Sequence, residues 1–100
     1  MDKNAVINIA RAYKELLKGH FEFEKMYIFG SYANGKNTED SDIDIALIVN
    51  NYEFDFLTTI PKLWNLRSKI DYRIEPIVID RSNDKAGFYE EILNDGIEIN

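Results

Sequence analysis

The stretch KMYIFGSYANGKNTEDSDIDIALIV, residues 25–49, carries the pattern that decides the fold. Its two ends read as strands. Residues 25–29 are a short apolar run that ends directly on Gly30 and Ser31. Residues 42–49 alternate, with Ile43, Ile45, Leu47 and Val49 on one face and Asp42, Asp44, Ala46 and Ile48 on the other. Both faces turn apolar toward the end of this segment, which predicts a central strand covered on both sides. Residues 34–42 between them are polar and predict a loop.

Outward from this unit the chain alternates helix and strand. Val6, Ile9, Ala10, Tyr13, Leu16 and Leu17 recur at helical spacing over residues 2–18, with Asp2 as N-cap and Lys18-Gly19 as the stop. Residues 53–69 predict a second helix with Phe56, Leu57, Ile60 and Trp64 inward, broken or kinked at Pro61. Residues 72–79 predict a third strand, at an edge or bulge because of Pro76. Residues 84–95 predict a last helix with Phe88, Tyr89, Ile92 and Leu93 inward and Gly96 as its stop. The expected class is α+β (mixed α/β): a mixed sheet of three or more strands packed with helices, one domain over residues 1–100.

Composition narrows the chemistry. With no cysteine, disulfides and cysteine-based zinc sites are excluded, and one histidine excludes a His-rich metal site. The formal net charge of −6 argues against direct nucleic-acid binding. No apolar run is long enough for a membrane span, and no apolar signal core opens the chain, so a cytoplasmic protein with no membrane partner is expected. The sequence leaves the oligomeric state, a homo-oligomer included, open.

Three motifs compete for residues 30–44. Gly30, Gly35 and Lys36 fit a phosphate-binding P-loop, but position 37 is Asn where a magnesium-holding hydroxyl is needed, and an acidic loop follows where a helix should. Asp40, Asp42 and Asp44 alternate as in a calcium loop, but its sixth and twelfth positions would be Ile45 and Asn51 instead of Gly and Glu. The third reading is Gly-Ser followed by Asp-x-Asp at the start of a buried strand. Residues two apart on a strand face one way, so Asp42 and Asp44 offer paired hard oxygens within reach of one magnesium ion. Gly30 lets a phosphate approach the backbone, and Ser31 offers a hydroxyl and an N–H. A third carboxylate usually completes such a site. Glu75, mid-strand on one face with Asp71 and Arg73, is the first choice, and Asp71 is the reserve.

The run Gly30-Ser31-Tyr32-Ala33-Asn34-Gly35 with Ser41-Asp42-Ile43-Asp44-Ile45 resembles the signature of the minimal nucleotidyltransferases of the DNA polymerase beta-like superfamily. The resemblance covers nearly the whole chain. It implies magnesium-dependent transfer of a nucleoside monophosphate from ATP or another nucleoside triphosphate to a hydroxyl. It further implies that Gly30 and Ser31 bind the nucleotide, that Asp42 and Asp44 hold Mg2+, and that Glu75 completes a catalytic and metal-binding acidic triad. Many members are antitoxins that adenylylate a tyrosine on a helical HEPN-type partner. Where the family often has Arg this chain has Asn34, and Lys36 is the nearby cation.

Blander roles stand beside these. Asp42 and Asp44 could be a solvated acidic turn, Ser31 a helix N-cap, and Glu75 a strand residue paired to Arg73. Glu39 and Asp40 read as solvated loop charges, and His20 as a surface residue. Two functions stay open: a nucleotidyltransferase acting as the antitoxin of a toxin–antitoxin pair, or a non-catalytic module that neutralises its partner by docking. A small-molecule nucleotidyltransferase is disfavoured, since those carry a second domain for the acceptor.

Overall fold

The computed structural model describes residues 2–50 and 55–100. Helix α1 spans Lys3–Lys18, strand β1 Lys25–Phe29, the one-turn helix α2 Ser31–Asn34, β2 Ile43–Val49, α3 Phe56–Arg67, β3 Ile74–Asp80, α4 Phe88–Asp95 and β4 Ile97–Ile99. The predicted helix at 53–69 thus begins at Phe56, and its first two residues lie outside the described ones.

The four strands form one mixed sheet in the order β3-β2-β1-β4. β1 is antiparallel to β2 and β4, while β2 and β3, joined through α3, run parallel. β2 is the central strand its two apolar faces predict. Ile43, Ile45 and Leu47 pack against Val6, Tyr13 and Leu17 of α1 and Leu63 and Leu66 of α3. Ala46 and Ile48 point the other way, into a smaller cluster with Tyr27, Ile79 and Ile92 of α4. β3 forms an edge, which accommodates Pro76 opposite Ile45.

Caps set the helix ends. Asp2 accepts a hydrogen bond from Ala5 N–H at 2.8 Å, so α1 starts where its N-cap residue predicts. Asp55 does the same for α3 through Thr58 N–H at 3.1 Å. Asp84 accepts from Tyr89 N–H at 3.0 Å and shifts the start of α4 to Phe88, after a short 3-10 turn at Arg81–Asn83.

Three expectations are corrected. Pro61 lies inside α3 without ending it. The carbonyl its missing N–H leaves over belongs to Leu57, which is exposed, so water can satisfy it. Leu57 is 91% exposed, and Phe56 and Trp64 stand at the surface with it; Leu63 and Leu66 take the core, flanked by Ile60. Leu93 of α4 is also exposed, and Phe88 is partly exposed, packing edge-on against Phe29 with ring centroids 5.7 Å apart. β4 was not foreseen: three residues after Gly96 pair with β1 through Met26 and Ile99.

Candidate active site

The sheet register brings the acidic residues together. Asp44 lies opposite Phe29 on β1 and opposite Glu75 on β3. Asp42 immediately precedes β2, on the same face two residues earlier, and Ile43 N–H donates to Arg73 O at 2.9 Å to fix that end of the strand. The turn before it is tied by Ser41, whose Oγ accepts from Thr38 N–H at 2.8 Å. Thr and Ser three apart around Glu39-Asp40 are the sequence signal for this turn.

Glu75 hydrogen-bonds to both Asp42 and Asp44. Burial, then the charge of Asp42, pushes the Glu75 carboxyl above the ordinary range, and Asp44 adds to this. Burial is also the main cause that raises Asp44, reinforced by Asp42 and opposed by the bond from Glu75. The Glu75 and Asp44 carboxyls are therefore harder to ionise than isolated ones.

Asp71, the reserve candidate, is engaged elsewhere. Its carboxylate accepts from Arg73 Nε at 3.0 Å and Nη2 at 2.6 Å, and from Arg73 N–H at 2.9 Å. The guanidinium holds it below the usual carboxylate range. Glu75, not Asp71, is thus the group that joins the aspartate pair.

On the other flank, Gly30 sits at φ 72° between β1 and α2. A Cβ built there would collide with Asp44 Oδ2. The backbone thus passes directly over the carboxylate, and Ser31 opens α2 beside it. The first N–H groups of a helix have no partner within it and face outward. Gly35 ends the turn in the left-handed region, and Lys36 N–H then donates to Ser31 O and to Asn34 Oδ1, both at 3.0 Å. No helix starts at Lys36, so the P-loop geometry is absent here. Ile43 and Ile45 are buried strand residues, which disposes of the calcium loop.

The family model for polymerase beta nucleotidyltransferases matches residues 12–100. The chain belongs to this nucleotidyltransferase family. A Methanocaldococcus jannaschii relative, named "putative protein adenylyltransferase", is 30% identical over 102 residues, covering 94% of this chain and 98% of its own. The "protein adenylyltransferase" of Thermococcus cleftensis is 25% identical over 96 residues, covering 92% and 90%. A Sulfolobus solfataricus crystal structure, titled a "putative nucleotidyltransferase", superposes with a TM-score of 0.69 at 22% identity, over 96% of this chain and 80% of that one. The fold is therefore that of a nucleotidyltransferase, and the protein is an enzyme of this class.

Two hollows flank the nucleotidyltransferase carboxylates. One, of about 160 Å³, opens beside Gly30 between α2 and α4, with Phe29 and Phe88 in its wall. The other, of about 660 Å³, lies toward the β3 edge and includes Asp42, Asp71 and Arg73. Among the described residues no three acidic or histidine side chains already surround one point as metal ligands. The donor set nevertheless fits magnesium, since Asp42, Asp44 and Glu75 offer hard carboxylate oxygens. Among the described residues no helix is long and apolar enough to cross a membrane.

Proposed function

We propose that this nucleotidyltransferase moves an adenylyl group from ATP to a protein hydroxyl, in a magnesium-dependent reaction. The acceptor in this reading is a tyrosine of a helical HEPN-type toxin, and modification of that tyrosine makes the chain an antitoxin. The observation that carries the reading is the meeting of Asp42, Asp44 and Glu75 beneath the backbone of Gly30. The names of the archaeal relatives support the adenylyl group and the protein acceptor.

Each residue has a separable task. Gly30 and the N–H groups at the start of α2 receive the outer phosphates, because no side chain stands between them and the carboxylates. Asp42, Asp44 and Glu75 would hold magnesium. Bound there, the metal would supply charge stabilisation for the attacking and leaving oxygens. Asp44 stands in the middle of the sheet between Phe29 and Glu75, with its carboxylate packed beneath Gly30. Asn34 takes the place of a phosphate-binding cation with a capping role, its Oδ1 closing the α2 turn onto Lys36 N–H.

The test is incubation of the protein with magnesium, α-labelled ATP and a HEPN-type partner, followed by mass spectrometry of the partner. The expected result is one adenylyl group on a tyrosine, absent with Asp44→Asn. If Asp44→Asn transfers nothing yet still neutralises the partner, the chain is a docking module and the enzymatic account of its role is wrong.

A further inference from the structure

We infer that the cleft at the β3 edge is the acceptor site, and that it takes a basic protein segment which carries the hydroxyl. The inference rests on the transfer reading above and adds where the acceptor enters and what surrounds its hydroxyl. Sheet order fixes the side. Gly30 follows β1, Asp44 lies in β2 with Asp42 just before it, and Glu75 lies in β3, so the carboxylates lie between the phosphate loop and the β3 edge.

Displacement at a phosphorus is in line, so the attacking and leaving oxygens stand on opposite sides. Pyrophosphate leaves on the Gly30 side. The acceptor oxygen must then arrive from the β3 side, where the larger cleft of about 660 Å³ opens. A bond forms from the acceptor oxygen to the α-phosphorus. The bond from that phosphorus to the α,β-bridging oxygen breaks, its electron pair leaves with pyrophosphate, and the hydroxyl proton passes to water.

The lining states what the cleft accepts. Glu39, Asp40, Asp42 and Asp71 face one cation, Arg73, which Asp71 already binds. A polynucleotide bringing its 3′ hydroxyl would meet this acidic rim with its own phosphates. A peptide with Lys or Arg beside the hydroxyl would be attracted. A second feature marks a protein-contact rim. Tyr72 is 75% exposed on a rigid mount: Arg67 Nη1 donates to Tyr72 O at 2.7 Å and to Ile74 O at 2.9 Å, and its guanidinium lies 4.5 Å from the Trp64 ring centroid. An exposed aromatic ring on fixed backbone loses little entropy on binding and suits an interface anchor.

The experiment compares two tyrosine peptides, one flanked by lysines and one by glutamates, as acceptors of label from α-labelled ATP with magnesium. Pyrophosphate release is followed in parallel. The expected kcat/KM ratio favours the lysine peptide by about tenfold or more and shrinks with added salt. Glu39→Lys with Asp40→Lys should bring the ratio to unity or invert it, and Tyr72→Ala should raise KM for the lysine peptide with kcat held. The ratio is unaffected by a general loss of activity. Equal use of both peptides, preference for the glutamate peptide, a ratio unmoved by charge reversal, or pyrophosphate release with neither peptide labelled would each overturn the acceptor cleft and leave nucleotidyl transfer standing. No label and no pyrophosphate would overturn the transfer reading, and the cleft with it.

Discussion

The carboxylate of Asp44 occupies the space that a side chain on Gly30 would need. One residue is the last step out of β1 and the other the third position from the start of its neighbour's acidic end, so the Gly30 turn and the aspartate-bearing strand are a single packed unit. Gly30 also adopts φ 72°, where any other residue is strained. Gly30→Ala should therefore cost about 2–4 kcal/mol, about 1–2 from the backbone and the rest from displacing Asp44. In a background of Asp44→Ala the same substitution should cost only the backbone part. Chemical denaturation of the four proteins of this cycle measures the coupling, and strict additivity would show that the two residues do not compete for space.

Glu75 lies within β3 and Asp71 lies ahead of it, and substitution should separate their roles. Glu75→Gln removes a group that is crowded by Asp42 and Asp44. It should lower turnover at least about 100-fold. It should leave stability unchanged or raised by up to about 0.5 kcal/mol, since these groups are partly exposed and solvent-screened. Asp71→Asn breaks the bidentate pair with Arg73. It should cost about 1 kcal/mol and keep turnover within about tenfold. Steady-state rates with melting curves decide the matter, and a larger rate loss at Asp71 would return it to the site.

Stability without divalent cations should fall as pH rises above the ordinary carboxylate range. The sign follows from the direction of the shifts. Glu75 and Asp44 have folded-state values raised above their unfolded ones. Their contribution is full below the unfolded values and is lost as pH climbs through the folded ones. Asp71, Glu24 and Asp55 are lowered and act in the opposite sense, so their contributions are lost only at more acid pH. Melting temperature against pH in EDTA should thus decline above about pH 4.5, and excess magnesium should remove the decline. The double variant Asp44→Asn/Glu75→Gln should be flat and insensitive to magnesium; the same slope in wild type and variant would refute the coupling.

Much of this site was legible because strand alternation is a strict rule. Asp42, Asp44 and the buried Ile43, Ile45 and Leu47 are placed by period alone, and Glu75 follows once β3 pairs with β2 in parallel. The facing of α3 was not legible. Phe56, Leu57, Ile60, Leu63, Trp64 and Leu66 spread apolar character around most of that helix, and only packing against α1 selects Leu63 and Leu66. Tyr13 shows how: its hydroxyl donates to Leu63 O at 2.8 Å inside the core. β4 was missed because three residues carry too little pattern, and its partner β1 lies far away in sequence. The choice between Glu75 and Asp71 depended on where the Arg73 side chain turned, which spacing does not encode.

The bond from Tyr13 to Leu63 is accordingly a test of α3 placement. Tyr13→Phe should cost about 1 kcal/mol, since Leu63 O retains the ordinary partner of a helix interior. Turnover should be unaffected below the melting point, because the residue lies on the sheet face opposite the carboxylates. A lost melting transition, or a rate change at full folding, would show that α3 and the site are more tightly linked than the two-sided sheet implies.

Ser31 and Lys36 discriminate the Gly-Ser reading from the P-loop reading by function as well as by shape. Ser31 stands at the first position of α2, next to the glycine that overlies Asp44. Lys36 lies past the left-handed Gly35, exposed, with its N–H already tied to Ser31 O and Asn34 Oδ1. Removing the Ser31 hydroxyl should weaken ATP binding by about threefold to tenfold, the value of one hydrogen bond. Removing the Lys36 ammonium should cost less than about threefold, since an exposed charge on a flexible stem contributes little to a nearby anion. Asp42→Asn should stop turnover by at least about 100-fold, because it takes away a carboxylate that would hold the metal. Calorimetric ATP titrations and pyrophosphate release compare the three variants under one set of conditions. The decisive reversal would be loss of ATP binding in Lys36→Ala together with retained turnover in Asp42→Asn, for then the lysine and not the carboxylates would carry the phosphates.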